Sequence, residues 1–123
     1  MTFQILSLIM TFAGGVLGIR FIFAGGSVLK EWGLEATPGA LVVSRRMGAL
    51  YLGLALMFFL GRTAGPSEFR SAVCLVMGGA LAVLASLGLI EFLTRRAKAG
   101  IFASVIAEAV LAVGFGWVWW GGQ

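Results

Sequence analysis

Apolar residues fill four long runs, Phe3 to Leu29, Thr37 to Leu60, Phe69 to Leu93 and Ala99 to Trp120, separated by three short polar links. A helix crossing a hydrocarbon layer of about 30 Å needs about 20 such residues at a rise of about 1.5 Å each, and every run meets that length. The runs are apolar on nearly all sides. A transmembrane strand would alternate apolar and polar residues over about ten positions, whereas a helix in lipid satisfies its backbone internally and tolerates an apolar surface all round. The pattern predicts an all-α fold, a four-transmembrane-helix antiparallel bundle forming a single integral membrane domain over residues 1–123, with no soluble domain between the spans.

The links punctuate the runs. Lys30-Glu31-Trp32-Gly33-Leu34-Glu35-Ala36 follows the first span and carries a tryptophan of the kind that sits at headgroup level. Thr37-Pro38 reads as an N-cap followed by proline at the first helical position. Gly61 to Glu68 is a polar turn in which Ser67 is a candidate N-cap, and Thr94-Arg95-Arg96-Ala97-Lys98 is so short that spans three and four must be antiparallel neighbours. The first span is too long, and too poor in N-terminal positive charge, to read as a cleaved signal peptide, so it is expected to persist in the mature protein.

Composition removes several classes of chemistry. The 123 residues are 60% apolar and only 11% charged, with a mean hydropathy of +1.04; a soluble domain carries roughly 25% charged residues. There is no His, Asp or Asn, and Cys74 is the single cysteine. A His-ligated haem, a histidine general base, a zinc site with several Cys or His ligands and an intramolecular disulfide are thereby excluded, and neither metal nor cofactor is expected. Cys74 reads as a small buried apolar residue.

The net charge of +4 is topological and calls for no nucleic-acid partner; the lipid bilayer is the expected one. Lys30, Arg45, Arg46, Arg95, Arg96 and Lys98 share one membrane face, and Arg62 and Arg70 hold the other. The positive-inside rule then puts the basic face in the cytoplasm of a bacterial inner membrane and both termini in the periplasm. Trp117, Trp119 and Trp120 become an outer aromatic anchor, with Trp32 its counterpart at the inner interface.

Charges inside the spans are the informative ones. Arg20 lies ten residues before Lys30 and Glu108 ten residues after Lys98, so both sit roughly 10 to 15 Å below the same face. A lone charge at mid-membrane costs about 2.5–3.5 kcal/mol and usually faces the bundle interior with a partner. An Arg20–Glu108 ion pair between helices one and four is therefore expected, with Arg46 and Glu91 as extensions. Two roles are open for this cluster. Either it fixes helix register, or it lines a cavity that binds an anion, a lipid headgroup or a polar small molecule.

Small residues supply a second constraint. Gly14, Gly15, Gly18 and Gly25 lie toward one face of helix one, with the small-xxx-small spacing that allows close backbone approach in lipid. Arg20 points away from that face. The glycines meet either another helix of the same chain or a second polypeptide, which makes a homo-oligomer or a membrane-protein partner an expectation.

Small multidrug transporters carry an acid in helix one, where this chain has Arg20. The link Trp32-Gly33-Leu34-Glu35-Ala36-Thr37-Pro38, followed by Arg46-Met47-Gly48-Ala49-Leu50-Tyr51-Leu52-Gly53 in helix two, resembles the DoxX-like group of small four-helix bacterial membrane proteins. The resemblance implies the four-helix architecture, and some members of that group look like membrane subunits of redox or oxidative-stress complexes. The leading functional expectation is a non-enzymatic accessory or scaffold subunit of a larger inner-membrane complex. The alternative is a small transporter, channel or lipophilic-ligand binder whose site is Arg20, Arg46, Glu91 and Glu108.

Overall fold

Three of the four helices start at a side-chain cap. Thr2, Thr37 and Ser67 each accept a hydrogen bond from the backbone N–H three residues on, at 3.2, 3.1 and 3.1 Å, satisfying one of the donors that a helix start leaves free. The computed structural model describes residues 2–121. Met1, Gly122 and Gln123, on which the expectation about the termini falls, lie outside the described residues. The helices are α1 (Phe3–Glu31), α2 (Pro38–Leu60), α3 (Glu68–Leu93) and α4 (Phe102–Gly121), the last preceded by a 3₁₀ turn at Ala99–Ile101. All four are long and apolar enough to cross a membrane, and the chain is a small multi-pass membrane protein.

Helix α1 runs 29 residues, about 43 Å at helical rise and longer than the hydrocarbon core. It bends at Ala24, whose φ of −139° and ψ of 37° leave the helical region, beside the flexible pair Gly25-Gly26. The helix outlasts its expected end at Leu29 and takes in Glu31.

Helices α1 and α3 end in the same hydrogen-bonded turn, the Schellman motif. Leu34 N–H donates to the Leu29 carbonyl at 2.8 Å and Gly33 N–H to Lys30 at 3.0 Å; after α3, Arg96 N–H donates to Glu91 at 2.8 Å and Arg95 N–H to Phe92 at 3.0 Å. The motif needs one left-handed residue. Gly33 takes it at φ 76°, whereas Arg95 takes it at φ 60° with a side chain in place, a conformation costing roughly 1–2 kcal/mol outside glycine.

Packing divides the molecule into two hairpins, α1 on α2 and α3 on α4, which touch each other chiefly through α1 and α4. The first hairpin closes on small residues. A Cβ on Gly18 would lie 2.9 Å from the Gly48 carbonyl, and one on Gly48 would lie 2.7 Å from the Gly18 carbonyl. Gly14 faces Tyr51 and Ala55, and Gly25 faces Ser44, while Gly15 meets nothing within 4 Å. Thr11 adds a hydroxyl that donates to its own helix at Ser7 (2.8 Å) and across to the Ala55 carbonyl (3.3 Å).

The hairpins are joined at both ends. Away from the basic links, Phe3, Leu6 and Met10 of α1 meet Phe58 of α2, Cys74 and Leu81 of α3, and Leu111, Phe115 and Val118 of α4 in one buried cluster. Cys74 sits within that cluster as an apolar residue with 1% of its surface exposed. At the basic end, Lys98 N–H donates to the Trp32 carbonyl at 2.8 Å, and Gly100 lies so close to the Glu31 carbonyl that no Cβ fits between them.

Gly18→Ala and Gly48→Ala are each expected to destabilise the fold by about 1–3 kcal/mol through overpacking, and Gly15→Ala to leave it unchanged, measured by reversible unfolding in mixed micelles. Arg95→Gly should stabilise it by about 1 kcal/mol in the same assay, by removing the left-handed strain.

Candidate functional site

Two hairpins held at their ends enclose space between them. A cavity of about 460 Å³ runs along this seam, walled by Met10, Leu17, Leu54, Met77, Leu81 and Leu111 among other apolar side chains. Its polar lining comes chiefly from Arg20 and Glu31 of α1, Tyr51 of α2, and Ser104 and Glu108 of α4. Helices α2 and α3 make no packing comparable to that within the hairpins. Leu50 on α2 and Leu84 on α3, both cavity residues, are 71% and 41% exposed. The cavity thus has a side window toward lipid between α2 and α3.

Helical geometry explains how Arg20 reaches the cavity. It stands two residues beyond Gly18, about 200° round the helix, so seating Gly18 on α2 turns Arg20 away from α2. The expected Arg20–Glu108 ion pair is replaced by another. Arg20 Nη2 is 2.7 Å from Glu31 Oε1, with the two side chains 34% and 52% exposed rather than buried. Eleven residues are three turns plus about 20°, so Glu31 shares the face of Arg20 at a separation of about 16 Å along a straight helix; the bend at Ala24 lies between them.

Glu108 takes a neutral partner. The Ser104 hydroxyl donates to Glu108 Oε1 across one turn of α4, while Oε2 is buried with no hydrogen-bond partner among the described residues. Glu108, Arg20 and Glu31 therefore line one cavity, with Arg20 and Glu31 neutralising each other.

Arg46 and Glu91 stand apart from this cluster. Ser44 and Gly48 are the buried residues of α2 that face α1, which turns the intervening Arg46 outward, where it is exposed. Glu91 instead meets Arg96 in the turn after its own helix, at 3.8 Å. Neither lines the cavity.

Trp32, expected as an interface anchor, has a further place. It is one of the residues lining the cavity, and its ring meets Phe21 edge-on at 6.2 Å, while Phe21 stacks on Tyr51 at 5.6 Å. Trp117, Trp119 and Trp120 present exposed rings at the other end.

Arg70, read from the sequence as a topology charge, is buried, with 8% of its surface exposed. Nη1 donates to the Ala64 carbonyl at 3.0 Å, the guanidinium lies 4.6 Å from the centre of the Phe3 ring, and Nη2 has no partner among the described residues. A side chain near the start of α3 thereby ties the preceding loop to the start of α1. Its sequence signal was slight, since three residues after the Ser67 cap it is still within the first turn.

Among the described residues no three His, Cys, Asp or Glu side chains come together as a metal site. No protein-family model, curated protein or solved structure matches the chain.

A double-mutant cycle on Arg20→Ala and Glu31→Ala should give a coupling of about 0.5–1 kcal/mol, exceeding that of the Arg20/Glu108 cycle; equal couplings would reject the pairing. Arg70→Ala should cost about 1.5–3 kcal/mol in the unfolding assay, the range for a hydrogen bond to a charged group.

Proposed function

We propose that this protein binds a lipophilic molecule with a polar head, taken from the bilayer into the seam between its two hairpins. The observation that carries this reading is the cavity, about 460 Å³ in volume, apolar along most of its wall, with its charges on α1 and α4 and a window between α2 and α3. Binding sites for small molecules have this volume and this pattern of an apolar wall with a few converging polar groups. The tail would lie among Leu54, Met77 and Leu81, with the head among Arg20, Glu31, Ser104 and Glu108.

An accessory-subunit role rested on the lack of a soluble domain and of a cofactor ligand set in the sequence, and on a glycine face of helix one open to a partner. Gly14, Gly18 and Gly25 are occupied by α2, so the cavity is the better-supported basis for function. The basic links favour an orientation in a bacterial inner membrane with the basic end of the bundle in the cytoplasm, and the ligand's head would then sit toward the cytoplasmic side.

A variant retaining Trp32 as its one tryptophan, with Trp117, Trp119 and Trp120 changed to Phe, tests this in lipid nanodiscs. Brominated dodecanol should quench Trp32 saturably, and Ala107→Phe, which fills the cavity wall, should abolish the saturable part. Quenching that does not saturate, or that survives Ala107→Phe unchanged, would reject the reading.

A further inference from the structure

Arg20, Glu31 and Glu108 are the acidic and basic side chains of the cavity, two carboxyl groups and one guanidinium, beside the Tyr51 phenol. The guanidinium is already committed, since Arg20 bonds Glu31 at 2.7 Å within the same helix. This leaves Glu108, which has one oxygen on the Ser104 hydroxyl and the other buried without a partner. A carboxylate oxygen withdrawn from water and left unsatisfied is costly. Either a proton on that oxygen or a positive charge brought into the cavity offsets the cost, and a cation is the occupant that favours the charged form of Glu108.

Aromatic rings on the same wall point to the same chemistry. Trp32 and Tyr51 both line the cavity, and Phe21 braces them from behind, edge-on to one and stacked on the other. The faces of such rings attract cations, most strongly when the site is shielded from water, and aromatic walls with a nearby acid suit ammonium groups. An anionic head would have to displace Glu31 from Arg20 and would bring a second negative charge to a cavity that already holds Glu108.

We propose that the ligand is a cationic amphiphile, a quaternary ammonium or protonated amine on a hydrocarbon tail, and that Glu108 reads the charge with Trp32 and Tyr51 flanking the head. A turn of the Glu108 side chain brings Oε2, buried in the empty site, to the head and gives it the partner it lacks, and the tail follows the apolar seam toward Leu81 and Leu111. This rests on the cavity being a ligand site and adds the sign of the ligand's charge and the residue that selects it.

The test uses the full chain with Trp32 as its one tryptophan, in nanodiscs of an uncharged glycolipid. Brominated dodecyltrimethylammonium, dodecanol and dodecanoate are compared, each corrected for its partitioning into protein-free discs. The cation is expected to bind about tenfold more tightly than the alcohol, and the anion more weakly than either. Glu108→Gln, which keeps the shape and the Ser104 contact, should remove the preference for the cation, so that it binds no more tightly than dodecanol to the same variant, while an unchanged size-exclusion profile and far-UV circular dichroism show that the variant is folded. If all three amphiphiles bind alike, or the anion binds best, the cavity reading stands and the charge assignment falls. A preference for the cation that persists in Glu108→Gln overturns the role of Glu108. If none quenches saturably, the cavity reading itself fails and the charge assignment with it.

Discussion

The backbone contact between Gly18 and Gly48 sets where every later side chain points. Lipid tails are as apolar as leucine, so two membrane helices gain nothing by merely hiding apolar surface from each other; they associate through close packing and polar contacts. Two glycines meeting backbone to backbone provide that closeness, and Thr11 adds a hydroxyl shared between the helices at Ala55. Once Gly18 is seated on α2, helical periodicity sends Arg20 to the opposite side. The i+11 relation then carries Glu31 to the same face, and the bend at Ala24 falls between the two. The ion pair at the cavity is thus a consequence of a glycine contact on the other side of α1.

The helices were legible because their signals are local. Hydropathy runs, the Thr37-Pro38 start and the Ser67 cap all act within a few residues, and the observed ends lie close to the expected ones. The presence of Arg20 and Glu108 at one site was legible from matched depth below a common face. Their pairing was not, because depth does not distinguish between two acids that can reach the same guanidinium. Glu31 looked like part of a polar link, and only the persistence of α1 to that residue placed it on the face of Arg20. The displacement of Arg46 has a similar cause. Its direction depends on Ser44 and Gly48 being the residues that touch α1, and a sequence with small residues on several faces of helix two does not announce which face that is. Arg70 was hidden differently: a basic residue near a membrane face ordinarily serves topology, and its burial arises from the fold of Ala64 and Phe3 around it.

An apolar gap of this size inside a water-soluble protein would be destabilising, because lost contacts around an empty volume cost about 24 cal/mol per Å³. In a bilayer the same gap can be filled by hydrocarbon drawn from the surroundings, so the penalty falls on the empty state alone. That asymmetry makes a seam between two loosely joined hairpins sustainable. It also separates two kinds of occupant: any acyl chain can fill the apolar stretch, but only a molecule with a suitable head satisfies the groups at the polar wall.

Access follows from what joins the hairpins. One end is blocked by the cluster around Phe58 and Phe115, whose rings are 5.6 Å apart. The other is held by the bond from Lys98 to the Trp32 carbonyl and by Gly100 against Glu31. Along the sides, α1 and α4 touch, whereas α2 and α3 are joined mainly through the loop from Gly61 to Ser67 and make no extended contact. A molecule with a long tail therefore meets least resistance between α2 and α3, at the depth of Leu50 and Leu84. From there its tail exchanges one apolar surface for another. Its head must leave the interface for the polar wall, a transfer that is favourable only where a buried group such as Glu108 lacks a partner.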